Sequence, residues 1–110
     1  MKKAMISQPM KNVRTEAEIL ETKKRAEETL KSMGYEVVNT YFADEWANPE
    51  NMKKRGIPES NIPVAFMAKS IEKMAECQAV YFCKGWDETR GCLIEHEIAE
   101  KYGLTVLYEQ

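Results

Sequence analysis

The chain has 110 residues, enough for one hydrophobic core but not for two, so we expect a single domain spanning residues 1–110. Apolar residues make up 44% of the chain and charged residues 31%, which is typical of a water-soluble globular protein. The net charge of −2 argues against the basic character that proteins binding nucleic acids or anionic membranes carry, so neither partner is expected.

The sequence also argues against membrane, secreted and metal-binding classes. No run approaches the roughly 18 consecutive apolar residues of a membrane span, and the apolar stretch before Pro9 is too short for a signal peptide. Three cysteines cannot all pair, which makes a reducing, cytoplasmic location the simplest expectation. These cysteines and the single histidine lack zinc-site spacing, so we expect neither a metal nor a cofactor.

The first third of the chain predicts a strand, a helix and a second strand. A strand over Lys3–Ser7 is stopped by Pro9. A helix from about Thr15 to Met33 begins with a capping box between Thr15 and Glu18. The second strand is predicted over Tyr35–Phe42. The apolar stripe of the helix consists of Ile19, Ala26, Leu30 and Met33.

After the second strand the apolar residues no longer follow a helix or strand period. Residues 43–62 predict a long loop with room for a short helix, and loops of this length often cover a pocket or a partner surface. The basic triplet Lys53–Arg55 is read as solvent-exposed or as a phosphate contact. A helix then begins at Pro63 with Asn61 as its cap. Its apolar positions are Val64, Met67, Ala68, Ile71, Met74 and Ala75.

The remaining chain predicts a strand over Gln78–Cys83, a helix over Asp87–Tyr102 and a strand over Leu104–Tyr108. Strands that alternate with helices predict an α/β protein with a parallel sheet and right-handed crossovers. Polar loops follow the first and third strands, at the sheet edge where open α/β proteins bind ligands. The loop Ser7–Asn12 is equally compatible with an ordinary turn.

Two residues of the second polar loop have two readings each. Trp86 either stacks on a base or sugar or closes the end of the sheet as an apolar plug. Arg90 stands at a helix start, which disfavours cations, so we expect an anionic partner for it. That partner is Glu95, Asp87 or a ligand phosphate.

Glu95 is a carboxylate on the apolar face of the last helix. At about 100° per residue it lies inside the apolar arc, whereas the other charged residues of the helix lie outside. An unpaired buried carboxylate is costly, so Glu95 is either paired with Arg90 or Lys84 or is functional. The arc comprises Gly91, Cys92, Ile94, Ile98, Ala99 and Tyr102.

The chain resembles a known family in four segments, namely Ile6–Met10, Met33–Val38, Ala79–Trp86 and Arg90–Ala99. Over nearly its whole length it is similar to a small family of unknown function found in phages and gut bacteria. More distantly it resembles the nucleoside 2-deoxyribosyltransferases and the deoxynucleoside 5'-monophosphate N-glycosidases. The distant resemblance rests on the front loop, the strand ending near Phe82, and Gly91-x-x-x-Glu95-x-x-x-Ala99.

This resemblance implies a fold and a chemistry. The fold is a flavodoxin-like (Rossmann-like) three-layer sandwich with four or five parallel strands, and a homo-oligomer, dimer or larger, is expected. Glu95 would be the nucleophile that attacks the anomeric carbon of a nucleoside or nucleotide and forms a covalent deoxyribosyl ester. The front loop would bind the sugar or its 5' substituent. The candidate substrate-binding residues are Ser7, Gln8, Met10, Ser70, Trp86, Arg90 and Gly91.

The chain departs from the resembled enzymes at two positions. Their aspartate early in the helix before the third strand is Ser70 here, and their Ala-Asp pair at the head of that strand is Cys77-Gln78. Two alternatives to an enzyme therefore stay open, a non-catalytic nucleotide-binding module and a structural domain whose long loop binds a protein. The residues that could replace the missing carboxylate are Asp44, Asp87 and Glu97.

Overall fold

A computed structural model of the chain describes residues 1–10, 13–40 and 49–110. Within these ranges four strands form one parallel sheet in the order β2-β1-β3-β4. The two central strands are β1 and β3, and Ser7 at the end of β1 stands opposite Phe82 at the end of β3. The strands are β1 (Lys3–Ser7), β2 (Glu36–Val38), β3 (Ala79–Phe82) and β4 (Thr105–Tyr108).

Helices cover both faces of this sheet, which confirms the predicted α/β class and is consistent with a flavodoxin-like three-layer fold. None of the described helices has the length and apolar character needed to cross a membrane. Short 3-10 turns lie at Glu59–Asn61 and Trp86–Glu88. The α-helices are α1 (Glu16–Ser32), α2 (Pro49–Lys54), α3 (Ile62–Met74) and α4 (Arg90–Lys101).

The core consists of two clusters, one on each face of the sheet. Successive side chains of a strand point to opposite faces, so β1 and β3 contribute to both clusters and are apolar almost throughout. On one face α1 packs against the strands, and the buried residues are Ala4, Ile6, Ala26, Leu30, Ala79, Tyr81 and Cys83. On the other face α3 and α4 pack, and the buried residues are Met5, Met74, Cys77, Val80, Phe82 and Ala99.

The start of α1 has the predicted capping box. The Thr15 N–H donates to Glu18 Oε1 at 2.9 Å, and the Glu18 N–H donates to Thr15 Oγ1 at 3.2 Å. Ile19, Ala26 and Leu30 are buried as expected, but Met33 caps the helix end and is 51% exposed.

The second strand is shorter than predicted. Only Glu36–Val38 forms a strand, because its ladder with β1 ends at the pair Met5–Val38. Beyond it the Thr40 hydroxyl, rather than a backbone N–H, donates to the Ile6 carbonyl at 3.0 Å. The last two residues of the predicted strand lie outside the described residues.

The long segment contains the short helix α2, whose last two residues belong to the exposed basic triplet Lys53–Arg55. Residues 43–48 of the predicted loop lie outside the described residues. Asn61 stands at the N-cap of α3, but its side chain makes no capping hydrogen bond, because a 3-10 turn runs directly into the helix. The predicted apolar face of α3 is partly wrong, since Val64, Ala68 and Ala75 are exposed. Met74 is buried as predicted, whereas the other buried residue of this helix, Ala65, was not among the predicted positions.

Two leucines of α1 test this packing. Leu30 is fully buried against the sheet, whereas Leu20 is 47% exposed. We expect Leu30→Ala to lower the free energy of unfolding by about 2–5 kcal/mol, because it leaves a cavity in the core. Leu20→Ala should change it by about 0.5 kcal/mol or less. Urea unfolding followed by circular dichroism measures both, and equal losses would contradict the assignment of the α1 face.

Candidate active site

The candidate site lies at the carboxyl ends of β1 and β3. The chain leaves β1 toward β2 on one side and leaves β3 toward β4 on the other, so the strand order reverses between the two central strands. Open α/β sheets bind ligands in the crevice at such a point. The loops that begin at Gln8 and Cys83 flank this crevice.

Helix α4 places Glu95 in the middle of its buried face, between Cys92 and Ala99. The predicted arc is therefore rotated, because Ile94 and Tyr102 were included in it but are 40% and 80% exposed. The rotation follows from packing, since fully buried Ala99 belongs to the core cluster under the helix. A side chain as small as alanine brings the helix close to the sheet. Glu95 itself is only 7% exposed.

Ser7, the last residue of β1, hydrogen-bonds the Glu95 carboxylate. Its Oγ donates to Glu95 Oε1 at 2.5 Å, across 88 residues of chain, and Ser7 is 2% exposed. The sheet fixes this serine, because the Cys83 N–H donates to the Ser7 carbonyl at 2.9 Å. Alternation along β1 directs Ser7 to the same face as Met5, where α3 and α4 pack.

Ser70 of α3 supplies a second hydroxyl that hydrogen-bonds the Glu95 carboxylate. The residue that stands in place of the resembled enzymes' aspartate is thus in contact with the candidate nucleophile. Neither Arg90 nor Lys84 forms the expected ion pair with Glu95. Both are exposed, and the Lys84 backbone N–H donates to Glu109 Oε1 at 2.8 Å. Two neutral hydroxyls take the place of the expected cation.

Burial raises the pKa of Glu95 from its ordinary value of 4.5 to about 6. The hydrogen bonds from Ser7 and Ser70 act in the opposite direction, because they favour the charged form, but burial outweighs them. The carboxylate is therefore ionised at neutral pH, and its pKa lies about one unit below that pH. Reactive carboxylates often have a pKa raised in this way.

Cys92 and Thr89 complete the surroundings of the carboxylate, and sequence reasoning did not single out either one for the site. Burial raises the pKa of the Cys92 thiol, so the thiol remains neutral, although the neighbouring Ser7 and Thr89 hydroxyls act in the opposite direction on this pKa. Thr89 is buried, and its hydroxyl donates to the Trp86 carbonyl at 3.3 Å. A threonine directly before the first residue of a helix was the available signal for it.

The front loop places its predicted binding residues differently. The side-chain oxygen of Gln8 is buried and has no hydrogen-bond partner within the described part of the chain. Met10 is 37% exposed, and its carbonyl accepts the N–H groups of Val13 and Arg14, each at 3.0 Å. Among the described residues of this loop, Gln8 thus has an unpartnered buried oxygen, and the Met10 carbonyl accepts the hydrogen bonds of the turn.

Trp86 packs against other aromatic rings at the end of β3. Its ring stacks on His96 at 4.1 Å between centroids and packs against Phe82 at 5.5 Å. The His96 Nε2 atom lies 2.6 Å from the hydroxyl of Tyr108 at the end of β4. The ring is half-buried, so part of its surface is accessible to solvent.

Two glycines permit close approaches around the site. Gly85 has φ +91°, and a side chain there would come within 2.8 Å of Arg14 and 3.2 Å of Pro9, so the loops after β1 and β3 touch at this residue. Gly91 is half-buried, and a Cβ atom there would lie 3.3 Å from the Met67 methyl. It therefore brings α4 close to α3, which carries Ser70.

A cavity of about 740 Å³ opens at the same edge of the sheet, on the side of α1. Its lining includes Gln8, Arg14 and Lys84 but not Glu95. Gln8 directly follows Ser7 in the chain, but neither Ser7 nor Glu95 lines this cavity.

Of the three carboxylates that were predicted as replacements for the missing aspartate, the two described ones are not buried with Glu95. Asp87 and Glu97 are exposed, and Glu97 forms an ion pair with Lys101 at 3.8 Å. Asp44 lies outside the described residues. Within the ranges that the structure describes, no three His, Cys, Asp or Glu side chains come together as a metal site.

The family described as Domain of unknown function (DUF4406) has a sequence model that matches residues 3–108. The chain belongs to this family. Its match runs from β1 to β4 and includes Ser7, Ser70 and Glu95. The predicted membership of a family of unknown function is thereby confirmed. No curated protein matches the chain.

The raised pKa of Glu95 predicts a pH-dependent effect of its removal. Below pH 4.5 the carboxyl is neutral in the folded and unfolded states, whereas above about pH 6 folding buries a charge. The contribution of the Glu95 carboxyl to stability is therefore present below pH 4.5 and is lost as the pH rises through 6. We therefore compare the free energy of unfolding of Glu95→Gln with that of wild type at two pH values. The difference, variant minus wild type, should be about 2 kcal/mol larger at pH 8 than at pH 4.

Urea unfolding at the two pH values measures this difference. The matched control is Glu72→Gln, which changes an exposed glutamate on α3. A Glu95→Gln difference that stays constant with pH, or that falls as pH rises, would contradict the burial of the charge.

Proposed function

We propose that this protein cleaves the N-glycosidic bond of a nucleoside or nucleotide, as an N-glycosidase or a 2-deoxyribosyltransferase, with Glu95 as the nucleophile. The observation that carries the proposal is the buried Glu95 carboxylate, held by Ser7 and Ser70 at the carboxyl ends of the central strands. The more distant sequence resemblance supports the same residue and the same substrate class.

Two hydroxyl partners are better suited to a nucleophilic carboxylate than a cationic partner would be. A cation would neutralise the carboxylate and hold its charge in place, whereas neutral donors orient it and leave the charge available for bond formation. Ser7 fixes Oε1. A carboxylate oxygen attacks the anomeric carbon, and the base leaves with the electrons of the glycosidic bond and takes up a proton. Water or a second base then attacks the same carbon and releases Glu95.

The surroundings provide groups for a nucleoside. The buried Gln8 oxygen has a free acceptor position within the described residues, and a sugar hydroxyl or a base N–H would satisfy it. Trp86 offers a half-buried aromatic ring, and Gly91 lets α4, which carries Glu95, lie close to Met67 of α3. We assign these residues to substrate binding, together with Ser7 and Ser70. The predicted contacts of Met10 and Arg90 with substrate stay predictions.

One specific observation favours a second function, a non-catalytic nucleotide-binding module. The leaving base needs a proton, and the position that carries an aspartate in the resembled enzymes carries Ser70 here. A serine hydroxyl orients Glu95 but is a poor proton donor at neutral pH. A chain with this substitution would retain the crevice and its affinity for nucleotides without turnover.

A free-base release assay tests the proposal. The purified protein is incubated with the common deoxynucleosides and their 5'-monophosphates, and released base is quantified by liquid chromatography. We expect release by wild type and a loss of at least about 10³-fold in Glu95→Ala, since the covalent step has no substitute. Glu72→Gln, on an exposed residue, should keep the wild-type rate.

Mass spectrometry of acid-quenched wild-type protein then locates the intermediate, which is expected as a deoxyribosyl adduct on the peptide that contains Glu95. Base release that is unchanged in Glu95→Ala would refute the nucleophile. Absence of release from every substrate, with thermal stabilisation by one nucleotide, would establish the binding module instead.

The pH profile tests the role of Ser7. The rate of base release should rise with pH around 6, because the nucleophile must be ionised and its pKa is about 6. Ser7→Ala removes a hydrogen bond that lowers this pKa, so the midpoint should move to higher pH. Ser60→Ala, at an exposed position, serves as the control. A midpoint that moves to lower pH in Ser7→Ala would contradict this role.

A further inference from the structure

The outward face of α4, defined here by Arg90, Leu93, Ile94 and Glu97, lies opposite the face that carries Glu95. At about 100° per residue these four positions fall within one arc, directly across the helix from Cys92, Glu95 and Ala99. Leu93 is 45% exposed and Ile94 is 40% exposed, and the two charged residues are exposed as well. Two adjacent large apolar residues are thus presented to solvent between two charges.

The order of these residues is self-complementary. The sequence reads Arg90-x-x-Leu93-Ile94-x-x-Glu97, so a cation and an anion stand at equal distances on either side of an apolar pair. The charges are seven residues apart, about two helical turns or ~10.5 Å. An antiparallel copy of the same helix, related by a twofold axis between Leu93 and Ile94, places Arg90 of each copy opposite Glu97 of the other.

We propose that the outward face of α4 is an isologous interface between two copies of this chain. Both ion pairs form at once in that arrangement, and Leu93 of each copy packs against Ile94 of the other. A second copy is favoured over an unrelated partner because the charge pattern is complementary to itself. The proposal is independent of the proposed function, since Glu95 lies on the opposite side of the helix.

The charges on this face are available for such contacts. The Arg90 side chain makes no ion pair or hydrogen bond with a side chain of the described residues, although it stands at a helix start that disfavours cations. Glu97 pairs with Lys101 at 3.8 Å, but both side chains are about 70% exposed, and such surface pairs contribute little. The interface gives Arg90 the anionic partner that its position requires.

Helix α3 packs beside the start of α4. The methyl group of Met67 lies against Gly91, and Val64, one turn earlier on α3, is 67% exposed.

Charge reversal tests the interface on the full-length chain by sedimentation equilibrium from low to high micromolar concentration. Wild type is expected to dimerise. Arg90→Glu and Glu97→Arg each create two like-charge contacts across the twofold axis and should weaken dimerisation by about 10-fold or more. The double variant R90E/E97R recreates both ion pairs and should restore it. Added salt should weaken the wild-type dimer.

A matched pair of leucine variants separates this face from exposed apolar surface in general. Leu93→Glu should give a monomer, whereas Leu20→Glu, at 47% exposure on α1, should remain dimeric. Circular dichroism verifies that each variant is folded. A wild-type monomer at every concentration would overturn the proposal. Failure of the double variant to restore association, or equal effects of the two leucine changes, would also overturn it.

Discussion

Removal of the Glu95 carboxylate from water is the constraint on which the candidate site depends. A charge buried to this degree persists only with hydrogen-bond partners, and these come from two other elements, Ser7 at the end of β1 and Ser70 on α3. Helix α4 must also lie close to the sheet, which Ala99 permits by being small. The parallel order of β1 and β3 brings all three elements to one edge. The position of one carboxyl group thus depends on the sheet register, the helix packing and the loop ends together.

Features that depend on neighbouring residues were predictable from the sequence. The capping box of α1 joins residues three apart, and the alternation of strands and helices predicts a parallel sheet, so both were found. Asn61 shows the limit of such local reasoning. It has the right residue type for a cap, but the 3-10 turn before it removes the geometry that a cap requires.

Helical periodicity singled out Glu95 but not its partners. The apolar arc was centred too near Ile94, because size and hydrophobicity do not reveal that a helix packs through alanine and cysteine. The resemblance supplied Ser7 and Ser70 as candidates, yet their contact with Glu95 follows only from how β1, α3 and α4 are placed in space. Arg90 and Lys84 were closer in sequence and chemically more obvious partners, and they lie at the surface instead.

Gly85 has a consequence for how the crevice can move. Its left-handed backbone is occupied on one side by Pro9 and Arg14, so the loop after β3 rests directly on the loop after β1. Neither loop can swing outward alone without breaking this contact. Any side chain at this position would press on Pro9 and Arg14, so the contact between the two loops requires a glycine here for space as well as for its backbone angle.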